Sequence, residues 1–109
     1  MTRDQLIAET RRLVVEGERI RQRPSLAALR TWIAMSDEML RSAWGDMDRY
    51  HLSWLMVGRP GDAVRGRAMT PAEEEAYVRE VAEAKTAALR MSLRAVEDDR
   101  MPFLGETQS

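Results

Sequence analysis

The chain has 109 residues, a formal net charge of -1 and no cysteine. The lack of thiols excludes disulfides, cysteine nucleophiles and cysteine-ligated metal centres, and the single histidine, His51, excludes a multi-histidine metal site. Basic and acidic residues almost balance, which leaves no long-range field to attract nucleic acid or an anionic membrane. No apolar run approaches the roughly 20 residues of a membrane-spanning helix. We therefore expect one cytoplasmic domain over residues 1–109, without a cofactor, a metal or a membrane association.

The first predicted helix covers about residues 3–22. Thr2 and Gln5 have the spacing of a capping box, and apolar or small residues then recur on one face with a period of 3.6 residues. Pro24 disfavours helical geometry in the residue before it, so the helix should end there. Ser25 is then a good N-cap for the next helix.

The second predicted helix covers about residues 25–57 and carries an apolar seam with alternating steps of three and four residues. The seam positions are Leu26, Leu29, Ile33, Ser36, Leu40, Ala43, Met47, Tyr50, Trp54 and Val57. This register passes Gly45 without a slip, which favours one helix of about 33 residues, roughly 50 Å long. A glycine there costs about 1 kcal/mol relative to alanine, which a packed seam can offset. Two shorter helices broken at Gly45 are the alternative.

A helix-turn-helix over residues 26–40 is another interpretation of this segment. Its apolar spacing fits, and Ser36 could open a second helix. However, Arg30 takes a position that is normally small, and Ala34 replaces the usual glycine of the turn. Two acids would begin the recognition helix, where they would face phosphate. The continuous helix is therefore preferred.

A loop rich in glycine and arginine is predicted at residues 58–69, followed by a third helix at about 71–100. The loop breaks all periodicity. Thr70 supplies an N-cap for the third helix, with proline at the first helical position and glutamate at the third. Pro102 ends that helix and leaves a short tail at residues 101–109.

Three helices of about 20, 33 and 30 residues are long for a chain of this size, and their apolar stripes are broad. Such helices more often pair with a second copy, so the sequence predicts an all-α helical bundle completed by dimerisation. The candidate partner interface consists of Trp32, Ile33, Met39, Leu40, Trp44, Met47, Tyr50 and Trp54. A core packed within one chain, or a groove for a partner helix or a small apolar ligand, is the alternative for these side chains.

The loop also carries candidate residues for anion or nucleic-acid binding, namely Arg59, Arg65 and Arg67. Glycine lets backbone amides approach an anion, and arginine makes bidentate contacts with phosphate. Their spacing matches no phosphate-loop fingerprint, so a solvated connector is the simpler interpretation. The arginines of the first helix alternate with glutamates, as is typical of a solvated helix face.

Asp48 and His51 have the i, i+3 spacing with which helical bundles hold metals. The third helix offers only Glu80 and Glu83 at that spacing, which is too few ligands for a metal site. Helical-bundle nucleases place an arginine and a histidine a few residues apart on one helix. Arg49 lies only two residues before His51, which departs from that pattern. We therefore expect His51 to be a partly buried, hydrogen-bonded flank of the seam, without a catalytic or metal role.

Taken together, these patterns favour a small non-enzymatic interaction or regulatory protein that acts through protein–protein association of long amphipathic helices, as a homodimer. A nucleic-acid-binding regulator using the arginine loop and the N-terminal helix is the first alternative. An enzyme centred on His51, either a helical-bundle nuclease or a metal-binding protein, is the second.

Overall fold

The computed structural model describes residues 1–57 and 68–107, and within these ranges the regular structure is entirely helical. The helices are α1 (Arg3–Gln22), α2 (Leu26–Trp44), α3 (Arg49–Met56) and α4 (Pro71–Glu97). The predicted all-α helical bundle is confirmed, and α1 and α4 lie close to the predicted bounds. No helix in the described ranges has the length and apolar character needed to cross a membrane.

The caps predicted for α1 and α4 are both present. Thr2 Oγ1 accepts from the Gln5 N–H, and Gln5 Oε1 accepts from the Thr2 N–H at 2.7 Å. Thr70 and Glu73 make the same reciprocal pair at the start of α4. Each box satisfies two amide groups that a helix start otherwise leaves without acceptors.

The predicted continuous helix over residues 25–57 is wrong, because the chain breaks at Gly45. Gly45 has a φ of 102°, and Met47 enters the left-handed region with a φ of 65°. Asp48 then caps a new helix by accepting from the Tyr50 N–H at 3.4 Å. The tail closes the open end of α2, since the Leu104 N–H donates to the Ala43 carbonyl at 2.7 Å. Glycine, an aspartate cap and an external donor together make the break more stable than one long helix.

The break lets α3 turn back and pack on α4. Lys85 Nζ donates to the Trp54 carbonyl at 2.7 Å and lies 4.1 Å from the centroid of the Trp54 ring. The indole and the ammonium group are both buried, and the contact has cation–π geometry. The apolar seam of the second segment therefore closes within one chain.

The core lies mainly between α1 and α4, which run antiparallel. Arg11 contacts Glu97 and Glu18 contacts Arg90, which fixes the opposite directions of the two helices. The helices approach closely at Gly17, where a Cβ would overlap the Thr86 hydroxyl. Glycine is thus required at this crossing for steric reasons, although it is costly inside a helix.

The tail after α4 folds back across the start of α1. The N-terminal amine donates to the Gly105 carbonyl at 3.0 Å, and Arg3 Nη1 donates to the carbonyls of Val96 and Met101 at 2.8 and 3.1 Å. Phe103 is buried beneath this crossing. The tail therefore forms one end of the molecule, beside the C-terminal end of α2.

Candidate interaction face

The structure places most of the predicted partner interface inside the single chain. Trp32, Met39, Leu40 and Trp54 are buried in the core, and Ile33, Trp44 and Tyr50 are partly buried. Only Met47 is well exposed, at 58%. Apart from Met47, these side chains therefore pack within the single chain, and other parts of the described surface offer more exposed apolar side chains.

Trp44 and Tyr50 stabilise the helix break and the tail. Trp44 Nε1 donates to Ser92 Oγ on α4 at 2.8 Å, and the two aromatic rings lie 4.5 Å apart between centroids. The Tyr50 hydroxyl donates to the sulfur of Met101 at 3.3 Å. These contacts join α2, α3, α4 and the tail at one end of the bundle.

His51 also makes structural contacts, with both ring nitrogens engaged. Nδ1 accepts from the Met47 N–H at 3.0 Å, and Nε2 lies 2.6 Å from Asp37 Oδ1. Because Nδ1 is an acceptor, the proton is assigned to Nε2, which donates it to Asp37. The ring is 2% exposed and stacks with Trp54 at 6.2 Å between centroids. Among the residues described, no group of three His, Cys, Asp or Glu side chains is placed to hold a metal ion.

The arginines of α1 are largely neutralised by acids. The pairs are Arg11–Glu97 at 2.6 Å, Arg12–Glu9 at 2.7 Å, Arg19–Glu16 at 3.6 Å and Arg21–Glu18 at 3.0 Å. A paired guanidinium group has fewer free donors for phosphate. The candidate anion-binding residues Arg59, Arg65 and Arg67 lie outside the described residues.

A depression between α1 and α2, which we call the α1/α2 groove, is lined largely by apolar side chains. It consists of two cavities that meet at Met35. One, of about 440 Å³, is lined by Met1, Glu9, Met35, Glu38, Met39, Ser42, Ala43, Phe103, Leu104 and Gly105. The other, of about 510 Å³, is lined by Arg12, Leu13, Glu16, Ala27, Ala28, Thr31, Trp32 and Met35. Along α2 the groove extends about 24 Å, at 1.5 Å per residue.

The groove presents flexible apolar side chains above a buried floor. Met35 is 42% exposed at its centre, and Met1 and Leu104 are 50% and 58% exposed at one end. Trp32 and Met39 lie buried beneath them. Methionine adapts its shape to a partner, and clustered exposed apolar side chains mark interaction sites.

Charged side chains of alternating sign run along α1 beside the groove. Glu9, Arg12, Glu16 and Arg19 follow one another at steps of three, four and three residues. The first three line the groove, and Arg19 lies just beyond it. Val15 lies next to this row and is 52% exposed. From the sequence, the alternation of arginine and glutamate in α1 predicted an ordinary solvated helix face. The regular change of sign at helical spacing is the signal in the sequence that marks this row.

No family model, curated protein or solved structure matches this chain. The geometry and chemistry of the α1/α2 groove are therefore the basis for a functional assignment.

Proposed function

We propose that this protein is a small non-enzymatic interaction module that acts through protein–protein association, and that it forms a homodimer through the α1/α2 groove. The observation that carries the proposal is the exposed Met35 between two apolar cavities. A side chain of this kind gains free energy when a partner covers it, at roughly 25 cal/mol per Å² of apolar surface.

The shape of the molecule supports a dimer of ordinary size. The chain measures 49 × 25 × 19 Å along its principal axes, and the groove follows the long direction of α2. A stable interface buries about 800 Å² on each partner, which a face 49 Å long and 25 Å wide can supply. The interface would be centred on Met35 rather than on the buried seam.

The environment of the single histidine supports a non-enzymatic role. A general acid or base must reach its substrate, whereas His51 is 2% exposed and uses both nitrogens within the fold. The ion pairs of α1 also favour protein association over nucleic-acid binding, because Arg11 and Arg21 already contact carboxylates.

Light scattering after size exclusion tests the proposal directly. We expect a mass near twice 12.5 kDa for the native protein and near 12.5 kDa for M35E, since a carboxylate at the centre of the interface would be desolvated. M91E is the matched control, because Met91 is 53% exposed on α4, outside the groove.

Two outcomes would overturn the proposal. One is a native protein that stays monomeric up to about 1 mM, and the other is a dimer that M35E leaves intact. A 260 nm absorbance on the same peak that disappears in high salt would instead support the nucleic-acid alternative.

A further inference from the structure

We infer that the second copy docks antiparallel on the α1/α2 groove, with a two-fold axis that crosses α1 near Val14 and α2 near Trp32. The inference rests on the proposed homodimer and adds its geometry. Two independent features lead to it, namely the charge row along α1 and the position of Met35 along α2.

The charge row of α1 is complementary to the same row of a second copy that runs in the opposite direction. With the axis at residue 14, Glu9 lies opposite Arg19 of the second copy, and Arg12 lies opposite Glu16 of the second copy. Each acid therefore meets an arginine across the axis. A parallel arrangement would instead place each charged residue opposite the same residue of the second copy. A shift in register that brings Glu9 opposite Glu16 of the second copy would also place acids together. Like charges in juxtaposition suppress the wrong orientation and register.

The positions of the apolar residues along the groove agree with the same axis. Trp32 Nε1 donates to the Leu13 carbonyl at 2.8 Å, which places the Trp32 side chain beside residues 13 and 14 of α1. Met35 is three residues farther along α2, about 4.5 Å from the axis at 1.5 Å per residue. It then lies opposite the stretch around Ala28 and Thr31 of the second copy, which lines the cavity of about 510 Å³. Each Met35 would enter that cavity on the other copy.

An exposed valine lies where this arrangement needs an apolar contact. Val15 is 52% exposed and is adjacent to the axis on α1. Across the two-fold axis it comes within about two residues of its own counterpart, roughly 3 Å along the helix. The row of Glu9, Arg12, Glu16 and Arg19 would then flank an apolar centre, as polar rims flank the cores of other interfaces.

Charge reversal on α1 tests this geometry. R12E/R19E makes the row wholly acidic, and E9R/E16R makes it wholly basic. We expect each double variant alone to lose the dimer, with a dissociation constant raised at least tenfold. We expect an equimolar mixture of the two to form a heterodimer, because acids of one chain then face arginines of the other. R79E/R94E, with the same charge change on α4, is the matched control and should stay dimeric.

The fourfold variant E9R/R12E/E16R/R19E provides a second test that keeps the i, i+3 ion pairs of α1. It should dimerise with itself but not mix with the native chain, as measured by native mass spectrometry of a mass-tagged mixture. Free mixing would overturn the antiparallel geometry, as would double variants that dimerise as tightly as the native protein. If M35E still dissociates the dimer in that case, only the geometry fails. A monomeric native protein overturns the proposed function as well.

Discussion

Asp37 on α2 and His51 on α3 face each other across the helix break, with Asp37 Oδ1 2.6 Å from His51 Nε2. The opposite ring nitrogen accepts from the Met47 N–H at 3.0 Å, so one imidazole joins the helix before the break, the turn and the helix after it. Because the ring is buried, neither contact is replaced by water when it is lost. The pair therefore stabilises the orientation in which α3 packs on α4.

Replacement of His51 by alanine should destabilise the fold by about 2–4 kcal/mol, because it leaves a cavity and removes the acceptor of the Met47 N–H. H51N should cost less than H51A, since the amide oxygen can still accept from the Met47 N–H. Urea unfolding followed by circular dichroism measures both values. The structural role of the ring would be contradicted by a loss below about 0.5 kcal/mol for H51A.

Local chemistry predicted the starts of α1 and α4 because capping signals act over three or four residues. The capping pairs Thr2–Gln5 and Thr70–Glu73 need no information from the rest of the chain. The break at Gly45 could not be predicted in the same way, since the apolar register continues through it. Trp54 occupies a seam position of the predicted continuous helix and is buried in the broken one, so periodicity does not distinguish the two paths.

The residues of the predicted partner interface lie mostly in the core for a related reason. Hydrophobic periodicity identifies what a helix buries, and Trp32 and Leu40 are indeed buried, but it does not say against which partner. The groove depends on the angle between α1 and α2 and on the return of the tail to Ala43. Both are tertiary features that involve residues far apart in the sequence.

The second prediction concerns Gly17, where α1 lies close to both α4 and α2. A Cβ there would overlap Thr86 Oγ1 and lie 2.7 Å from Trp32 Cζ2. G17A should therefore destabilise the fold by about 1–3 kcal/mol through overpacking. T86A should offset part of this loss, since it removes the overlapping hydroxyl, which is buried without a hydrogen-bond partner in the described structure. A double-mutant cycle in urea measures the coupling, and strictly additive effects would contradict the contact.

A change at Met47 should raise the free energy of unfolding, whereas the changes at His51 and Gly17 lower it. Its φ of 65° strains a residue that carries a Cβ, by roughly 1–2 kcal/mol. M47G should raise the free energy of unfolding by up to about 1 kcal/mol, because glycine takes this conformation freely and the methionine side chain is mostly exposed. M91G, an exposed methionine within α4, is the control and should instead cost about 1 kcal/mol. Destabilisation by M47G equal to that of M91G would contradict strain at the turn.

The lowered pKa of Glu18 makes the stability of the fold depend on pH. The hydrogen bond from Arg90 Nη2, at 2.6 Å, holds the pKa of Glu18 below its ordinary value of 4.5, with partial burial opposing the shift and Arg21 adding to it. A carboxyl group whose pKa is lower in the folded chain stabilises the fold above its unfolded value, and that contribution disappears as the pH falls through the folded pKa.

E18Q should therefore be less stable than the native protein at pH 7, by under about 1 kcal/mol because the ion pair is partly exposed. The gap should close as the pH falls below 4.5 and through the lowered pKa of Glu18, because the native carboxylate is then protonated and no longer attracts Arg90. Urea titrations of both proteins across this range measure it, with E80Q as an exposed control on α4. A gap that stays constant or widens on acidification would mean that Arg90 does not stabilise the ionised carboxylate in the folded chain.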